Sequence, residues 1–239
     1  QRFPHQIAWM YVSVNHERRV FMASVDGRGE FAFHAAVHPH ETPENWTHED
    51  ARRIVAEASG MPDLDLEILS TGIWVAGHSL VAERYRQGRV FIAGDAAHLF
   101  TPTGGLGYNT AVGDAVNLGW KLAAVVKGQL PSSLLDTYES ERSPHVQAFI
   151  DLAVKLGDII QTTDPQAALE RDAKFKAGQP EIFQFPAPRL GPGVWQGEQA
   201  AVAQVFPQPT LADGRLLDAV LGLQFAVIGD ETVLNATSD

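Results

Sequence analysis

One stretch, residues 90–128, combines a carboxylate with free backbone amides at the start of a helical pattern. Its apolar beginning ends in Gly94-Asp95. A glycine cluster follows at Gly104, Gly105 and Gly107. Glycines just before a helix are typical of an anion site, because the first amides of a helix have no partner within it. No Lys or Arg lies between Arg89 and Lys121, however, and Asp95 is itself an anion. A phosphate therefore fits poorly, and the ligand must use a carboxylate and free amides together.

A flavin can use both a carboxylate and free amides. Its ribityl chain carries hydroxyls that can donate hydrogen bonds to Asp95, and the N1–C2=O edge of its ring gains negative charge on reduction. The amides of residues 105–108 and the positive end of the helix would stabilise that charge. Glycine also lets the backbone approach a flat ring closely. The residues therefore predict a flavin site.

Two long helices are predicted in and after this stretch. The first runs from Asn109 to Gly128, where apolar residues recur at helical spacing. Its apolar face comprises Val112, Ala115, Val116, Gly119, Leu122, Ala123 and Val126. Lys121 is interpreted as a solvated residue. The second helical region spans Ser132 to about Gln161, and Pro144 is expected to kink or split it.

Sheet and one helix are predicted before the stretch. Residues 6–37 alternate as three strands joined by polar turns, which indicates an antiparallel meander. Thr47, with Asp50 three residues later, resembles a capping box at the start of a helix, and Gly60 ends that helix. Residues 64–82 indicate more strand, and residues 88–93 indicate a short buried one.

Composition excludes several classes of function. The 239 residues are 45% hydrophobic, which favours a folded protein, and no run approaches the roughly 20 apolar residues of a membrane span. The formal charge of −11, without any basic block, argues against nucleic acid as a partner. The absence of cysteine excludes disulfides and thiol chemistry and fits a cytoplasmic location. No metal site is predicted. Because the chain opens directly on a strand pattern without Met, we expect it to be part of a longer protein.

Residues 88–128, "GRVFIAGDAAHLFTPTGGLGYNTAVGDAVNLGWKLAAVVKG", resemble the second flavin-binding motif of the FAD-dependent aromatic hydroxylases, the para-hydroxybenzoate and phenol hydroxylase family. The resemblance includes Gly-Asp, a spaced proline, the glycine cluster, an asparagine and "DAVNLGWKLA". The family's continuation is matched by "LLDTYESERSPH" at residues 134–145. Ala111 stands where the family commonly has Gly.

The resemblance implies roles for particular residues. Asp95, after Gly94, would hold the ribityl hydroxyls, and Pro102 would lie beside the isoalloxazine ring. The cluster that starts at Gly104 would bring the amides of Gly105, Leu106 and Gly107 to the pyrimidine edge. Asn109 would lie on the same edge at the helix start.

The resemblance also implies a domain organisation with mixed α+β and α/β character. Residues 1–83 would be a portion of the substrate domain, with an antiparallel sheet and a helix. Residues 84–162 would complete the FAD-binding domain, 163–210 would be a linker or irregular arm, and 211–239 would begin a thioredoxin-like C-terminal domain. The family's N-terminal G-x-G-x-x-G, which holds the ADP half of FAD, has no counterpart here. The chain alone is therefore expected to bind FAD weakly or not at all and to be inactive.

The implied function is an FAD-dependent monooxygenase that uses NAD(P)H and O2 to hydroxylate a phenolic or polycyclic aromatic substrate. In that family the oxygen is delivered from a C4a-hydroperoxyflavin. Epoxidation or Baeyer–Villiger oxidation on the same scaffold, or a non-catalytic fragment, remain alternatives. The expected partners are a small aromatic substrate, O2 and the missing N-terminal FAD-binding half, and a homodimer is left open.

Three further side chains have two interpretations each. Trp74 and Phe100 could line an aromatic pocket, although core packing is the commoner role of such residues. His98 could serve acid–base chemistry, but the motif favours packing or a backbone hydrogen bond near the cofactor. No catalytic residue is identified from the sequence.

Overall fold

The computed structural model describes residues 8–14, 16–61, 63–75, 78–179, 184–195, 202–222 and 224–236. The chain divides into two compact units, Gln1–Gln196 and Gly197–Asp239. Each unit is described by itself.

The first unit opens with a three-stranded antiparallel meander, as predicted. Its strands are β1 (Met10–Ser13), β2 (Val20–Ser24) and β3 (Phe31–Ala35), in that order across the sheet. Met22 of β2 pairs with Tyr11 on one side and Phe33 on the other. The side chains of Val20 and Met22 are buried. The alternation of apolar residues along β2 therefore sets which face of the sheet is covered.

Helix α1 (His48–Ser59) covers this sheet and has the predicted ends. The Thr47 hydroxyl accepts a hydrogen bond from the Asp50 N–H at 3.2 Å, and the Asp50 carboxylate accepts one from the Thr47 N–H at 2.9 Å. Gly60 ends the helix in the left-handed conformation, with a φ of 66°. The predicted capping box is confirmed, because its signal is contained within a few residues.

The strand predicted across residues 64–82 is mostly wrong. Among the described residues of that range, only β4 (Leu80–Val81) is a strand, and it pairs with β7 (His98–Leu99). Residues 64–75 pair with no strand among the described residues. β-Branched and aromatic residues favour a strand only where a neighbour supplies hydrogen bonds.

A tight hairpin leads into the glycine-containing motif. Strands β5 (Arg86–Gln87) and β6 (Val90–Phe91) pair across a two-residue turn in which Gly88 has a φ of 60°. The prediction of a buried strand at residues 88–93 is wrong for Val90, whose side chain is exposed.

Helix α2 (Leu106–Val126) begins three residues before the predicted start at Asn109. Gly104 and Gly105 have left-handed φ values of 81° and 63°, and Gly105 is the residue that precedes the helix. The predicted apolar face is also wrong, because Val116 and Val126 are 67% and 83% exposed. The buried residues of the helix are instead Leu106, Thr110, Asp114, Asn117, Leu118 and Lys121.

Helix α3 (Thr137–Gln161) packs on α2 and follows a 3-10 turn, Ser132–Asp136. It continues through Pro144 as one helix, so the expected split does not occur. The proline lacks an N–H, which leaves a carbonyl of the preceding turn without its helical donor. Gly191 approaches at this point: its N–H donates to the Glu141 carbonyl at 2.8 Å, and a Cβ on Gly191 would lie 2.1 Å from the Ser140 carbonyl.

The range 163–210, predicted to be an irregular arm, contains a helix. Helix α4 (Pro165–Lys176) begins after Asp164, whose carboxylate accepts from the Ala167 N–H at 2.7 Å. Residues 184–195 follow without helical structure, and part of this segment lies on α3. The domain boundaries themselves stay predictions.

The second unit contains helices α5 (Leu217–Leu221) and α6 (Glu231–Ala236) and an isolated antiparallel bridge between Thr210 and Leu216. The apolar pattern of residues 214–230 predicts a short helix followed by a buried strand. The helix is α5, but the described residues 224–230 form no strand, and Phe225 is 83% exposed. The thioredoxin-like start at residues 211–239 stays a prediction. No helix within the described residues is long and apolar enough to cross a membrane.

Candidate functional site

The Gly94–Asp95 turn lies against the first half of α2. It forms a 3-10 turn, Gly94–Ala96, directly after β6. Gly94 has a φ of 57°, and a Cβ at this position would lie 3.2 Å from the Ala111 Cβ. Glycine is thus required both by the backbone conformation and by the close approach to α2. The turn leaves the Asp95 side chain exposed, without a hydrogen bond or ion pair to any described residue.

We call the exposed predicted residues the glycine rim: Asp95, Pro102, Gly104, Gly105 and Asn109. Pro102, Gly104 and Gly105 lead into α2, Asn109 lies in its first turn, and the N-terminus of the helix has no side-chain cap. Asp95 follows Gly94, whose backbone approaches Ala111 farther along the helix. A Cβ on Gly105 would meet no atom within 4 Å, so open space lies beside this backbone. The rim therefore combines a carboxylate that has no partner among the described residues with a helix N-terminus that has no side-chain cap. The Gly105 N–H at this N-terminus donates to the Pro102 carbonyl at 3.2 Å, so the set of free amides that the sequence predicts for a flavin does not include Gly105 in this structure.

The other predicted cofactor residues are buried or half-buried and pack beneath the rim. Gly94 and Leu106 are buried, and Gly107 is half-buried. A Cβ on Gly107 would lie 3.6 Å from the Phe100 Cβ, so ordinary packing already occupies that side. Leu106 packs in an apolar cluster with Leu152 and Ala153 of α3.

A fully buried carboxylate, Asp114, lies directly beneath the turn. It accepts hydrogen bonds from the Gly94 N–H at 3.1 Å, from His98 Nε2 at 2.6 Å and from Arg142 Nε at 2.8 Å. Arg142 also donates to the Thr110 carbonyl at 3.1 Å. We call Asp114, His98 and Arg142 the buried clamp, since it joins the turn, β7, α2 and α3.

The buried clamp keeps Asp114 ionised. Burial alone would raise the pKa of this carboxyl, but hydrogen bonds from His98, Arg142 and the Gly94 N–H outweigh burial and lower the pKa below its ordinary value. A charged carboxylate with a cation and two further donors satisfies the requirement for burying charge.

A second buried ion cluster lies farther along the same two helices. Glu141 accepts hydrogen bonds from Lys121 Nζ at 2.6 Å, Asn117 Nδ2 at 2.7 Å and the Val194 N–H at 2.8 Å. Lys121 also donates to the Thr137 hydroxyl at 2.7 Å. Burial would raise the pKa of Glu141, but these donors lower it below its ordinary value. The cluster fixes α3 to α2 and to the segment at residues 184–195.

The sequence interpretation missed most of these charged residues. Lys121, expected to be solvated, is 0% exposed. His98 is buried as expected, but it bonds the Asp114 side chain rather than the backbone. A signal was present: Asp114, Asn117 and Lys121 are spaced by three and four residues, which places them on one face of a helix. Three polar residues on one face of a helix indicate partners on another element.

The two residues predicted for an aromatic pocket lie on different elements. Phe100 packs with Leu106, and its ring meets the His98 ring edge-on at 5.5 Å. Trp74 is 60% exposed and meets the His34 ring of β3 at 5.4 Å. A cavity of 230 Å³ lies between α3 and residues 186–190, and one of 180 Å³ lies between the sheet and α1. Neither contains Trp74 or Phe100.

Comparison with known proteins places this site in a family. Residues 1–153 match the family described as FAD binding domain. The chain is 35% identical over 230 residues to a 3-(3-hydroxy-phenyl)propionate/3-hydroxycinnamic acid hydroxylase of Mycolicibacterium gilvum, covering 88% of this chain and 40% of that protein. It is 48% identical over 126 residues to a putative polyketide hydroxylase of Streptomyces coelicolor, covering 52% of this chain and 20% of that protein.

A solved structure supports the fold. The flavin-dependent monooxygenase PieE, in complex with FAD and substrate, superposes with a TM-score of 0.63 at 28% identity, over 85% of this chain and 42% of PieE. The predicted fold class, with an antiparallel sheet and long helices, is confirmed. The chain spans two fifths or less of the length of the two curated relatives named above.

Proposed function

Because the chain belongs to the FAD binding domain family, we propose that it forms part of an FAD-dependent monooxygenase that hydroxylates a phenolic or polycyclic aromatic compound. The co-substrates would be NAD(P)H and O2. The observation that carries this proposal is the glycine rim, which combines an exposed Asp95 carboxylate without a partner among the described residues and an N-terminus of α2 that has no side-chain cap. The names of the matched relatives, which are hydroxylases of hydroxyphenylpropionate or of polyketides, support the substrate class.

The rim residues would hold the flavin half of FAD. Asp95 would accept hydrogen bonds from the ribityl hydroxyls, and Pro102 and Asn109 would lie along the ring. The amides that follow Gly104, from Gly105 to Gly107, would face the pyrimidine edge and stabilise negative charge there. The Gly105 N–H, which donates to the Pro102 carbonyl at 3.2 Å, would have to share or release that bond. Bound FAD would supply the redox chemistry between NAD(P)H, O2 and the aromatic substrate.

The ADP half of FAD needs another part of the protein. The chain has no G-x-G-x-x-G at a strand–helix junction, and it covers 40% of the M. gilvum hydroxylase. We therefore place the pyrophosphate site on a segment outside this chain. Trp74 and Phe100 stay candidates for substrate contact. The cytoplasmic location and a homodimer stay predictions from the sequence.

The test uses the full-length protein that carries this chain. FAD content is measured after extensive dialysis, and NADH and NADPH oxidation is followed with and without a panel of phenolic and polycyclic aromatic compounds. We expect bound FAD, substrate-stimulated oxidation and a product that contains one atom from isotopically labelled O2. A flavin-free protein, or a flavoprotein whose product takes no oxygen from O2, would contradict the proposal.

A further inference from the structure

The Gly94–Asp95 turn depends on a side chain that lies outside the glycine rim. Its Gly94 N–H donates to the Asp114 carboxylate at 3.1 Å, and this carboxylate is fully buried on α2. Gly94 also accepts from the Ala97 N–H at 2.8 Å, which closes the turn locally. The Asp114 hydrogen bond is therefore a polar link between the turn and the long helix.

Asp114 itself has little freedom to move. Arg142 holds one carboxylate oxygen at 2.8 Å, and His98 holds the other at 2.6 Å. A Cβ on Gly113 would lie 2.7 Å from Arg142 Nη2, so the absence of a side chain there makes room for the guanidinium. Elements on three sides thus fix the carboxylate that receives the Gly94 N–H.

His98 contributes to this arrangement through one ring nitrogen. Its other nitrogen, Nδ1, is buried and has no hydrogen-bond partner among the described residues. The bond to Asp114 is the ring's one described side-chain hydrogen bond. An imidazole buried at the cost of an unsatisfied nitrogen is best explained by its hold on Asp114.

From these contacts we propose that Asp114 is a positioning residue for FAD binding, which acts by holding the Gly94–Asp95 turn so that the Asp95 carboxylate faces the ribityl hydroxyls. His98 and Arg142 act through Asp114. This inference rests on the proposed function, because it takes Asp95 as the group that contacts FAD. It adds residues that lie beneath the site and touch no ligand.

A double-mutant cycle on the full-length apoprotein tests the inference. FAD dissociation constants are measured by flavin fluorescence quenching for the wild type, Asp95→Ala, Asp114→Asn and the double variant. We expect Asp95→Ala to weaken binding roughly 10- to 100-fold and Asp114→Asn roughly tenfold. If Asp114 acts through Asp95, adding Asp114→Asn to Asp95→Ala should weaken binding by less than about twofold. The exposed Asp151→Asn serves as the control and should bind FAD like the wild type.

A role of Asp114 in general stability would give a different result. The two substitutions would then act independently, and the double variant would bind roughly tenfold more weakly than Asp95→Ala alone. That result would overturn the positioning role of Asp114 but would not contradict the proposal that the protein binds FAD. Failure of the wild-type protein to bind FAD would instead overturn the proposed function.

A second cycle covers the case in which Asp114→Asn does not fold, as judged by circular dichroism. His98→Leu removes one donor to Asp114 but leaves Arg142 to pair with the buried charge. We expect His98→Leu to weaken FAD binding several-fold in the wild-type background and by less than about twofold in the Asp95→Ala background. Equal effects in both backgrounds would overturn the inference.

Discussion

Asp95 of the glycine rim and Asp114 of the buried clamp come from the same short stretch of chain, yet only Asp114 has hydrogen-bond partners among the described residues. Asp95 on the rim is exposed and has no partner among the described residues. Asp114, 19 positions later in the sequence, is 0% exposed and has three. Both are aspartates next to helical backbone, so residue type alone does not separate them.

The difference shows how to assign roles within one sequence motif. A buried carboxylate whose acceptors are all occupied by the protein serves the fold, because any further ligand would have to displace a donor. An exposed carboxylate without a partner among the described residues is free to bind something else, and so is a helix N-terminus without a side-chain cap. We therefore propose that the rim binds the cofactor and that the buried ion clusters support it.

The largest expected effect is on the stability that the buried ion clusters provide. Lys121→Met removes the cation that pairs with buried Glu141, whose carboxylate lies 2.6 Å from Lys121 Nζ. A buried carboxylate without its cation should lower the free energy of unfolding by about 3–5 kcal/mol. Urea denaturation of this chain measures the change, with the exposed Lys127→Met as control, expected within about 0.5 kcal/mol of the wild type. A loss below about 1 kcal/mol for Lys121→Met would mean that the pair contributes little.

The next largest effect is expected on FAD binding at the glycine rim. Asp95→Ala removes a charged acceptor from the proposed ribityl site and should weaken FAD binding by about 1.5–3 kcal/mol in the full-length protein. Asp95→Asn should cost less, because it keeps one acceptor oxygen. Stability without FAD should be unchanged for both, since Asp95 has no partner among the described residues. A loss of stability without loss of FAD would reverse our assignment of the two regions.

Acid should destabilise the buried ion clusters. The pKa values of Asp114 and Glu141 lie below their ordinary values, which are roughly 4. The stabilisation is therefore fully present above about pH 5 and is lost as the pH falls through the folded pKa values, at about 1.4 kcal/mol for each unit of depression. The free energy of unfolding is measured by denaturation from about pH 7 down to about pH 3, a range that includes the ordinary carboxyl pKa values. Asp114→Asn should lose less of this free energy on acidification than the wild type. An unchanged slope in this variant would contradict the role of Asp114.

The smallest expected effect is on the reduction potential of bound flavin. A Cβ on Gly105 would point into space free of protein atoms, so Gly105→Ala should disturb a ligand there as well as adding backbone strain at a φ of 63°. A weakened helix-end interaction of about 0.3–2 kcal/mol corresponds to a potential lower by roughly 10–40 mV for a two-electron couple.

The control for this measurement is Gly119→Ala, since Gly119 also has space for a Cβ but lies in the middle of α2. Flavin content is determined first, so that lost cofactor is not taken for altered potential. If Gly105→Ala retains FAD fully and its potential equals that of the wild type, the glycine cluster serves chain geometry only.

Local signals in the sequence predicted the elements well where the determinants lie close together. Thr47, Asp50 and Gly60 predicted both ends of α1, because each acts within one turn of the helix. The start of α2 was placed three residues late, because the left-handed conformations of Gly104 and Gly105 are not visible as apolar periodicity.

Features that depend on distant partners could not be predicted in the same way. Lys121 is buried because Glu141, 20 residues later, meets it from α3. Residues 64–75 have strand-like composition but pair with no strand among the described residues. Asp95 and the glycine cluster were predicted from residue types and spacing, whereas Pro102 and Asn109 followed from the family resemblance. The contact of these residues with a flavin stays a prediction.

The most direct test of the rim assignment is an experimental structure of the full-length protein with FAD. We predict that an Asp95 carboxylate oxygen lies within about 2.5–3.2 Å of a ribityl hydroxyl. The backbone amides of residues 105–107 should face the N1–C2=O edge of the ring. A flavin bound elsewhere, with Asp95 still exposed to solvent and the N-terminus of α2 unoccupied, would contradict the assignment.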